Sequence, residues 1–181
     1  MTFHNTEIEG LVIIETKKFF DDRGYFFESF QQEKFDHFIG TKTIFVQENE
    51  SCSSLNVVRG LHFQKPPFGQ GKLVRVPFGK VLDVVVDIRK DSTSYGKSFK
   101  IELSQENGKQ LWIPEGFAHG FISLQENSLL CYKCTNYYNK ESEDAILWND
   151  KDLSIDWSSN KPIISEKDQL AQEFSTFVSP F

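Results

Sequence analysis

Long apolar runs are missing from this sequence. No stretch approaches the ~18 residues of a membrane-spanning helix. The first ten residues, MTFHNTEIEG, also lack the basic region and apolar core of a signal peptide. Only three cysteines occur, Cys52, Cys131 and Cys134, and an odd number argues against a disulfide-stapled secreted domain. We therefore expect a soluble, cytoplasmic protein with no membrane partner.

Arginine is also scarce, and acidic residues outnumber basic ones. The formal net charge of the 181 residues is −6, and only four of them are arginines. This balance argues against a general nucleic-acid binder, so an anionic ligand would need basic side chains placed locally. The length suits one domain over residues 1–181, since domains usually have ~100–200 residues.

What the sequence does have is strand signals. From Lys80 to Lys90 apolar residues alternate along the chain, with Leu82, Val84, Val86 and Ile88 on one side and Asp83, Val85 and Asp87 on the other. Similar segments rich in Val, Ile, Phe and Tyr are LVIIET, KTIFVQEN, NVVRGLHFQ, KLVRVPF, KSFKIELS and SLLCYKCTNYY. Many short strands predict an all-β sandwich or barrel. Only two short helices are expected, over Gln31–Phe38 and from about Ser165.

One of the four histidines stands in an unusual context. His119 lies in the stretch PEGFAHGF, and a lone histidine among apolar residues is most often a core residue. However, the spacing Pro-x-Gly-x-x-His resembles the second conserved motif of cupin barrels, where a tight turn sends the histidine into the barrel. Metal-binding cupins also need a His-x-His motif, and GLHFQ around His62 supplies one histidine only. We therefore expect a barrel without a metal.

Further segments, in the same order along nearly the whole chain, carry a closer resemblance. They are DDRGYFFESF, FVQEN, NVVRGLHFQ, QGKLVRV, LWIPEGFAHGF, YKCTNYY, LWNDKDLSIDW and ISEKDQ. Together they resemble the dTDP-4-dehydrorhamnose 3,5-epimerase family. This resemblance implies a cupin-type (jelly-roll) barrel with a few short peripheral helices. It also implies a homodimer that needs no cofactor and inverts C3 and C5 of a dTDP-linked 4-keto-6-deoxy sugar, in dTDP-L-rhamnose synthesis.

The resemblance also implies catalytic roles. A C4 ketone acidifies the hydrogens on C3 and C5, so epimerisation needs a base, an acid and a group that holds the enolate. His62 would be the base, because histidine has a pKa near neutral pH. Tyr132 would be the proton donor, Lys72 the cation beside the enolate oxygen, and Asp168 the partner of His62.

Each of these four residues has a structural alternative. His62 could be a structural strand histidine, Tyr132 a barrel-filling aromatic and Lys72 a solvated residue at a strand end. The strongest alternative concerns Asp168, because Ser165-Glu166-Lys167-Asp168 also has the pattern of a helix capping box. A carboxylate that faces its own backbone could not also hold His62.

Nine further residues match ligand-binding positions of the family. They are Arg23, Glu28, Gln47, Asn49, Arg59, His119, Tyr138, Glu143 and Lys167. Arg23, Arg59 and Lys167 would contact the diphosphate and nucleotide, and Tyr138 would stack on the base. In a continuous strand Tyr132, Cys134, Asn136 and Tyr138 would all face the pocket.

Arg59 and His62 conflict with a regular strand. They differ in parity and would point to opposite faces. Either Gly60 permits a bulge, or Arg59 reaches a ligand shared with a partner subunit.

Three alternative functions remain at this point. A family member could invert only C3 or only C5, since pocket shape decides which carbon reacts. The barrel could bind a sugar nucleotide without catalysis, or it could be a metal-dependent cupin oxygenase. The presence of His62, Tyr132 and Lys72 together favours double inversion without excluding the single kind. His62 and Tyr132 count against a barrel that only binds, and the number of metal ligands counts against the oxygenase.

Overall fold

The computed structural model describes all 181 residues and consists mainly of strands. The strands are β1 (Thr2–Asn5), β2 (Val12–Glu15), β3 (Phe19–Asp21), β4 (Gly24–Phe26), β5 (Gln47–Ser53), β6 (Val57–Gln64), β7 (Lys72–Phe78), β8 (Lys80–Asp87), β9 (Ser98–Ser104), β10 (Gln110–Ile113), β11 (Phe117–Ser123), β12 (Ser128–Cys134), β13 (Glu143–Ala145) and β14 (Ile163–Ile164). The helices are α1 (Gln32–Ile39) and α2 (Glu166–Gln169), followed by a 3₁₀ turn over Phe174–Thr176. None of these helices is long and apolar enough to cross a membrane.

Two six-stranded sheets form the body of the molecule. The first has the order β1-β2-β10-β7-β12-β5. The second has the order β13-β6-β11-β8-β9, with β14 added parallel to β6. The main apolar core contains residues of both sheets, such as Val74 and Leu130 of the first and Val85 and Phe121 of the second. The predicted cupin-type jelly roll, with few short helices, is confirmed.

The second sheet is buried on both faces. Val84, Val86 and Ile88 belong to an outer cluster with Leu153, Trp157 and Phe177 of the C-terminal segment, whereas Val85 belongs to the core between the sheets. The alternation predicted over Lys80–Lys90 is therefore correct. Because both faces of β8 are covered, Asp83 and Asp87 are as inaccessible as their apolar neighbours.

Helix α1 covers part of the outer face of the first sheet. Phe35 is fully buried in a cluster with Leu73 and Trp112, and its ring meets that of Trp112 edge to face. The Gln31 side chain accepts from the Lys34 N–H at the start of the helix. Gly40 ends it in the left-handed conformation that favours glycine.

Two of the predicted strands are wrong in part. Residues 42–46 are not a strand, and Phe45 packs instead on Phe35 and Trp112. Strand β12 ends at Cys134, so the expected inward row does not continue through Asn136 to Tyr138. There the Asn136 side chain accepts from the Tyr137 N–H and donates to the Pro67 carbonyl, so side-chain hydrogen bonds replace strand pairing. The β3–β4 hairpin was not predicted at all.

Candidate active site

A cavity of about 610 Å³ opens between the two sheets. Its walls include β7 and β12 of the first sheet, β6 and β11 of the second, and the segment from Ile163 to Asp168. Nine of the thirteen residues proposed from the sequence line this one cavity: Arg59, His62, Lys72, His119, Tyr132, Tyr138, Glu143, Lys167 and Asp168.

His62 and Asp168 form a hydrogen-bonded pair at this cavity. The His62 Nε2 atom lies 2.7 Å from Asp168 Oδ1, and the Gly60 N–H donates to Asp168 Oδ2 at 3.2 Å. Burial raises the pKa of Asp168, but the hydrogen bonds from His62, Gly60 and Ser165 outweigh it and hold the pKa below its usual range. An ionised carboxylate only accepts hydrogen bonds, so Nε2 carries the proton and Nδ1 is the free nitrogen.

The structure removes the conflict between the two roles of Asp168. Its backbone N–H donates to the Ser165 side-chain oxygen at 3.2 Å, which caps α2, while its carboxylate turns to His62. The cap and the histidine partnership therefore use different atoms of the same residue. The two roles would exclude each other only if the carboxylate faced its own backbone.

A bulge at Gly60 resolves the parity of Arg59 and His62. His119 pairs with His62 and Phe121 with Arg59, so one residue of β11, Gly120, opposes two of β6, Gly60 and Leu61. Gly60 has a φ of +138°, which an L side chain rarely adopts. A Cβ there would lie 2.5 Å from the Gly120 Cα atom. The bulge places both Arg59 and His62 at the cavity of one chain.

Tyr132 and Lys72 line the opposite wall, on neighbouring strands of the first sheet. The Lys72 Nζ atom lies 5.9 Å from the centre of the Tyr132 ring and 3.5 Å from the His62 carbonyl oxygen. Burial raises the pKa of the Tyr132 phenol, so it stays protonated. Burial lowers the pKa of Lys72, an effect partly offset by the carboxylates of Asp83 and Glu143.

His119 has a carboxylate partner of its own. Its Nε2 atom lies 2.9 Å from Asp83 Oδ2, and both residues are buried. His119 is directly opposite His62 in the sheet register. Two histidines of the second sheet, each hydrogen-bonded to a buried carboxylate, therefore stand side by side, and the buried His119 lines the cavity.

Glu143, Lys167 and Tyr138 form a polar network on another part of the cavity wall. Glu143 Oε2 lies 2.7 Å from Lys167 Nζ and accepts from the Tyr138 hydroxyl at 3.0 Å. Burial raises the pKa of Glu143, and the bonds to Lys167 and Tyr138 outweigh it and lower that pKa. The Gln47 side-chain oxygen holds the Tyr138 N–H at 2.9 Å, so the exposed ring of Tyr138 is supported through its backbone.

Four of the proposed residues do not line the cavity. Gln47 and Asn49 lie just behind it on β5, hydrogen-bonded to each other, with Asn49 opposite Tyr132 in the register. Arg23 is 90 % exposed and pairs with Asp21, and Glu28 pairs with Lys34. The structure thus does not bring Arg23 and Glu28 to the cavity of their own chain.

Sequence reasoning missed other residues of this region. Ser51 and Gln64 line the cavity, and each shares strand parity with a residue that was proposed, Asn49 and His62 respectively. Asp83 was placed on its strand but given no role. Its signal was available, because a carboxylate in an otherwise apolar alternating strand needs a partner.

Comparison with known proteins assigns the family. The sequence model of the dTDP-4-dehydrorhamnose 3,5-epimerase family matches residues 5–176. A curated dTDP-4-dehydrorhamnose 3,5-epimerase of Salmonella typhimurium is 53 % identical over 167 residues, 92 % of this chain and 91 % of that protein. The chain belongs to this family. The resemblance read from the sequence is confirmed.

Solved structures agree with the family assignment. The crystal structure of the dTDP-4-dehydrorhamnose 3,5-epimerase from Elizabethkingia anophelis is 47 % identical, with a TM-score of 0.92 and 97 % of each chain covered. A dTDP-6-deoxy-D-glucose-3,5-epimerase from Legionella pneumophila, solved in complex with dTDP-4-keto-L-rhamnose, is 44 % identical. Its TM-score is 0.93, and the match covers 98 % of this chain and 94 % of the other.

Single epimerases share the fold as well. A 3'-monoepimerase from Streptomyces bikiniensis in complex with dTDP-quinovose is 30 % identical with a TM-score of 0.92, and covers 96 % of this chain and 88 % of its own. The fold alone therefore does not distinguish the inversion of one carbon from the inversion of two.

Proposed function

We propose that this protein epimerises dTDP-4-dehydro-6-deoxy-D-glucose at C3 and C5 to give dTDP-4-dehydro-L-rhamnose. Family membership supports the reaction class, and one geometric observation supports the mechanism. His62 and Tyr132 belong to different sheets and line the same cavity. A base and an acid on opposite walls are what inversion of a carbon requires, because the proton must leave one face and return to the other.

The first half of each inversion is removal of a proton by His62. The free Nδ1 atom takes the hydrogen of C3 or C5, the electrons of that bond form a carbon–carbon double bond, and the C4 carbonyl becomes an enolate oxygen. Lys72 supplies the positive charge that stabilises this oxygen. The ionised carboxylate of Asp168 stabilises the imidazolium formed at His62 and keeps the ring in place.

The second half is return of a proton to the opposite face from Tyr132. The enolate electrons re-form the C4 carbonyl, the carbon takes the phenolic proton, and Tyr132 becomes a transient phenolate. Because burial raises the pKa of Tyr132, the phenol is a weak acid and gives its proton only to a strongly basic group such as the carbanion. Solvent then reprotonates Tyr132 and takes the proton from His62, so no cofactor enters the cycle.

The remaining cavity residues suit the nucleotide part of the substrate. Arg59 and Lys167 offer positive charge to the diphosphate. The exposed Tyr138 ring offers a stacking surface, typically worth ~1–3 kcal/mol for a base. Glu143 holds both Lys167 and Tyr138, so this part of the site is organised before a ligand arrives.

The proposed assembly is a homodimer. The β3–β4 hairpin belongs to neither large sheet and exposes the rings of Phe19, Phe20 and Phe26. Arg23 lies at the turn of this hairpin, away from its own cavity. A second copy that covers these rings would give Arg23 and Glu28 a site to act on, namely the cavity of the partner.

The test separates the enzyme from a binding protein. The protein is incubated with dTDP-4-dehydro-6-deoxy-D-glucose, product formation is followed by NMR, and binding is titrated by calorimetry in parallel with a His62→Ala variant. We expect turnover by His62→Ala to be at least about 100-fold slower than by the wild type, with binding by both proteins. Binding without any turnover by the wild type would show that the protein binds a sugar nucleotide but does not epimerise it.

A further inference from the structure

Asp83 is a buried charge to which the proposed mechanism gives no role. Its side chain is 0 % exposed, on a strand with apolar neighbours. Its Oδ2 atom lies 2.9 Å from His119 Nε2, but its Oδ1 atom has no hydrogen-bond partner. Buried carboxylate oxygens almost always have partners, since an unpaired one costs free energy. We therefore expect this buried carboxylate to have a function that offsets its cost in stability.

The surroundings of Asp83 indicate which residues it acts on. It does not itself line the cavity, but His119 and Lys72 both do. The Lys72 ammonium makes only one hydrogen bond, at 3.5 Å to the His62 carbonyl oxygen. Asp83 is one of the carboxylates whose charge opposes the effect of burial on the pKa of Lys72, so its field reaches the ammonium through the protein interior.

We propose that Asp83 is the positioning residue behind the substrate's C4 side, where it fixes the proton of His119 on Nε2 and keeps Lys72 charged. The effect of Asp83 on catalysis rests on the proposed function. The position of the proton on His119 does not, because it can be measured on the protein alone. Asp83 touches no substrate in this arrangement and acts only through His119 and Lys72.

The hydrogen bond to Asp83 determines which ring nitrogen of His119 is free to bind a ligand. The carboxylate can only accept, so Nε2 carries the proton and Nδ1 is the nitrogen left for the cavity. In the neutral ring Nδ1 is an acceptor, which suits a hydroxyl group of the sugar. His119 would thus orient the sugar and leave the enolate oxygen to Lys72.

The charge of Asp83 affects the pH at which Lys72 loses its proton. Six titratable groups line the cavity with Lys72 or act on its pKa: Asp83 on β8, His62 on β6, His119 on β11, Tyr132 and Cys134 on β12, and Glu143 on β13. Burial lowers the pKa of Lys72, and Asp83 is among the charges that oppose this. Removal of Asp83 therefore moves the loss of the Lys72 proton, and of activity with it, to lower pH.

The hydrogen bond is tested on the unmodified protein. In ¹⁵N-histidine NMR of the ligand-free wild type, we expect the neutral ring of His119 to carry its proton on Nε2. A His119→Gln sample, which lacks the signal, assigns it among the four histidines. A neutral His119 with its proton on Nδ1 would overturn the inference, whether or not the protein is an epimerase and whether or not any Asp83 variant folds.

The charge is tested with Asp83→Asn, which keeps the shape of the side chain. We expect kcat to fall at least about 10-fold, which corresponds to roughly 1.4 kcal/mol, because the amide neither fixes the proton of His119 nor carries a charge near Lys72. The alkaline limb of the kcat profile should move to lower pH. Asp87→Asn is the matched control, since Asp87 is equally buried on the same strand but faces Arg89 and not the cavity.

Two results would overturn the charge effect. One is an Asp83→Asn enzyme with the wild-type alkaline limb, and the other is an Asp87→Asn enzyme with the same shift as Asp83→Asn. An inactive wild type would instead reject the proposed function, and the NMR result on His119 would still stand by itself.

Discussion

The four histidines differ in what their ring nitrogens contact. His4 has only an exposed glutamate 3.7 Å away, and His37 lies exposed on α1. His62 and His119 each bond a buried carboxylate. The sequence could single out His62 and His119 from their neighbouring glycines and strand context. It could not reveal Asp83 as a partner, because that contact joins residues 36 positions apart.

The His62→Ala variant tests the role of His62 as the catalytic base. The side chain is partly exposed and the fold does not depend on it, so the variant should fold normally. Its turnover should fall by at least about 100-fold, the lower end of what general-base catalysis contributes. His37→Ala is the control, and steady-state kinetics with circular dichroism makes the comparison. Wild-type turnover in His62→Ala would rule out this base.

Tyr132→Phe tests the acid separately from the base. The variant lacks the proton that completes inversion, but His62 can still remove the substrate hydrogen and return one from solvent. In deuterated water we expect exchange at the substrate carbons to persist while product formation slows more strongly. Equal loss of exchange and of product formation, measured by NMR, would contradict a donor role for Tyr132.

Among the elements, alternating strands could be predicted and pairing could not. Residues 80–87 are a strand as their alternation predicted, and residues 72–78 are a strand as their residue types predicted. The bulge in β6 depends on the register with β11, which a single sequence does not show. The sequence offered two explanations for Arg59, and only the structure shows that the bulge exists. The β3–β4 hairpin was missed because its two strands are short and every residue in them is exposed. Such strands do not show the apolar–polar alternation of a half-buried strand.

Gly60→Ala tests what this bulge does. A Cβ would meet the Gly120 Cα at 2.5 Å and force a positive φ on alanine. We expect a loss of roughly 1–3 kcal/mol in the free energy of unfolding and a fall in kcat, since Arg59 and His62 lose their alignment. Gly40→Ala, where a Cβ meets nothing within 4 Å, should lose stability but no activity. A fully active Gly60→Ala would contradict this role.

Strand β8 ends in a second carboxylate network that predicts how stability depends on pH. Burial raises the pKa of Asp87, but hydrogen bonds from Arg89, Ser92 and Ser94 outweigh it and lower the pKa to about 2. The stabilisation, about 2 kcal/mol, is therefore complete above the unfolded pKa of ~3.9 and is lost as the pH falls towards 2.

The pH dependence of Asp87→Asn checks this interpretation. Denaturant unfolding at pH 7 should show a loss of about 2 kcal/mol relative to wild type. That difference should shrink when both proteins are unfolded near pH 2. A difference that stays constant over this range would show that Asp87 is not ionised in the network.

For the whole molecule, the site requires contributions from distant parts of the chain. The two sheets supply opposite walls, and the C-terminal segment supplies Lys167 and Asp168. Most of these residues could be found from the sequence through family resemblance. Their placement could not, because the cavity exists only once the sheets pack. Arg23 and Glu28 remain predictions, since they lie outside the cavity of their own chain.

Mixed dimers test where Arg23 acts. If it serves the partner's cavity, a dimer of one Arg23→Ala and one His62→Ala subunit has one site with neither defect. Co-refolding the two weakly active variants should then restore about a quarter of wild-type activity, because half of the dimers are mixed and half of their sites are intact. No gain on mixing would show that Arg23 does not act across a dimer.

The central claim is that this site removes and returns protons at both C3 and C5. The most direct test is NMR of dTDP-4-dehydro-6-deoxy-D-glucose incubated with the protein in deuterated water. We predict deuterium at both carbons and conversion to the L-lyxo sugar. Deuterium at only one carbon, or at neither, would contradict the double inversion.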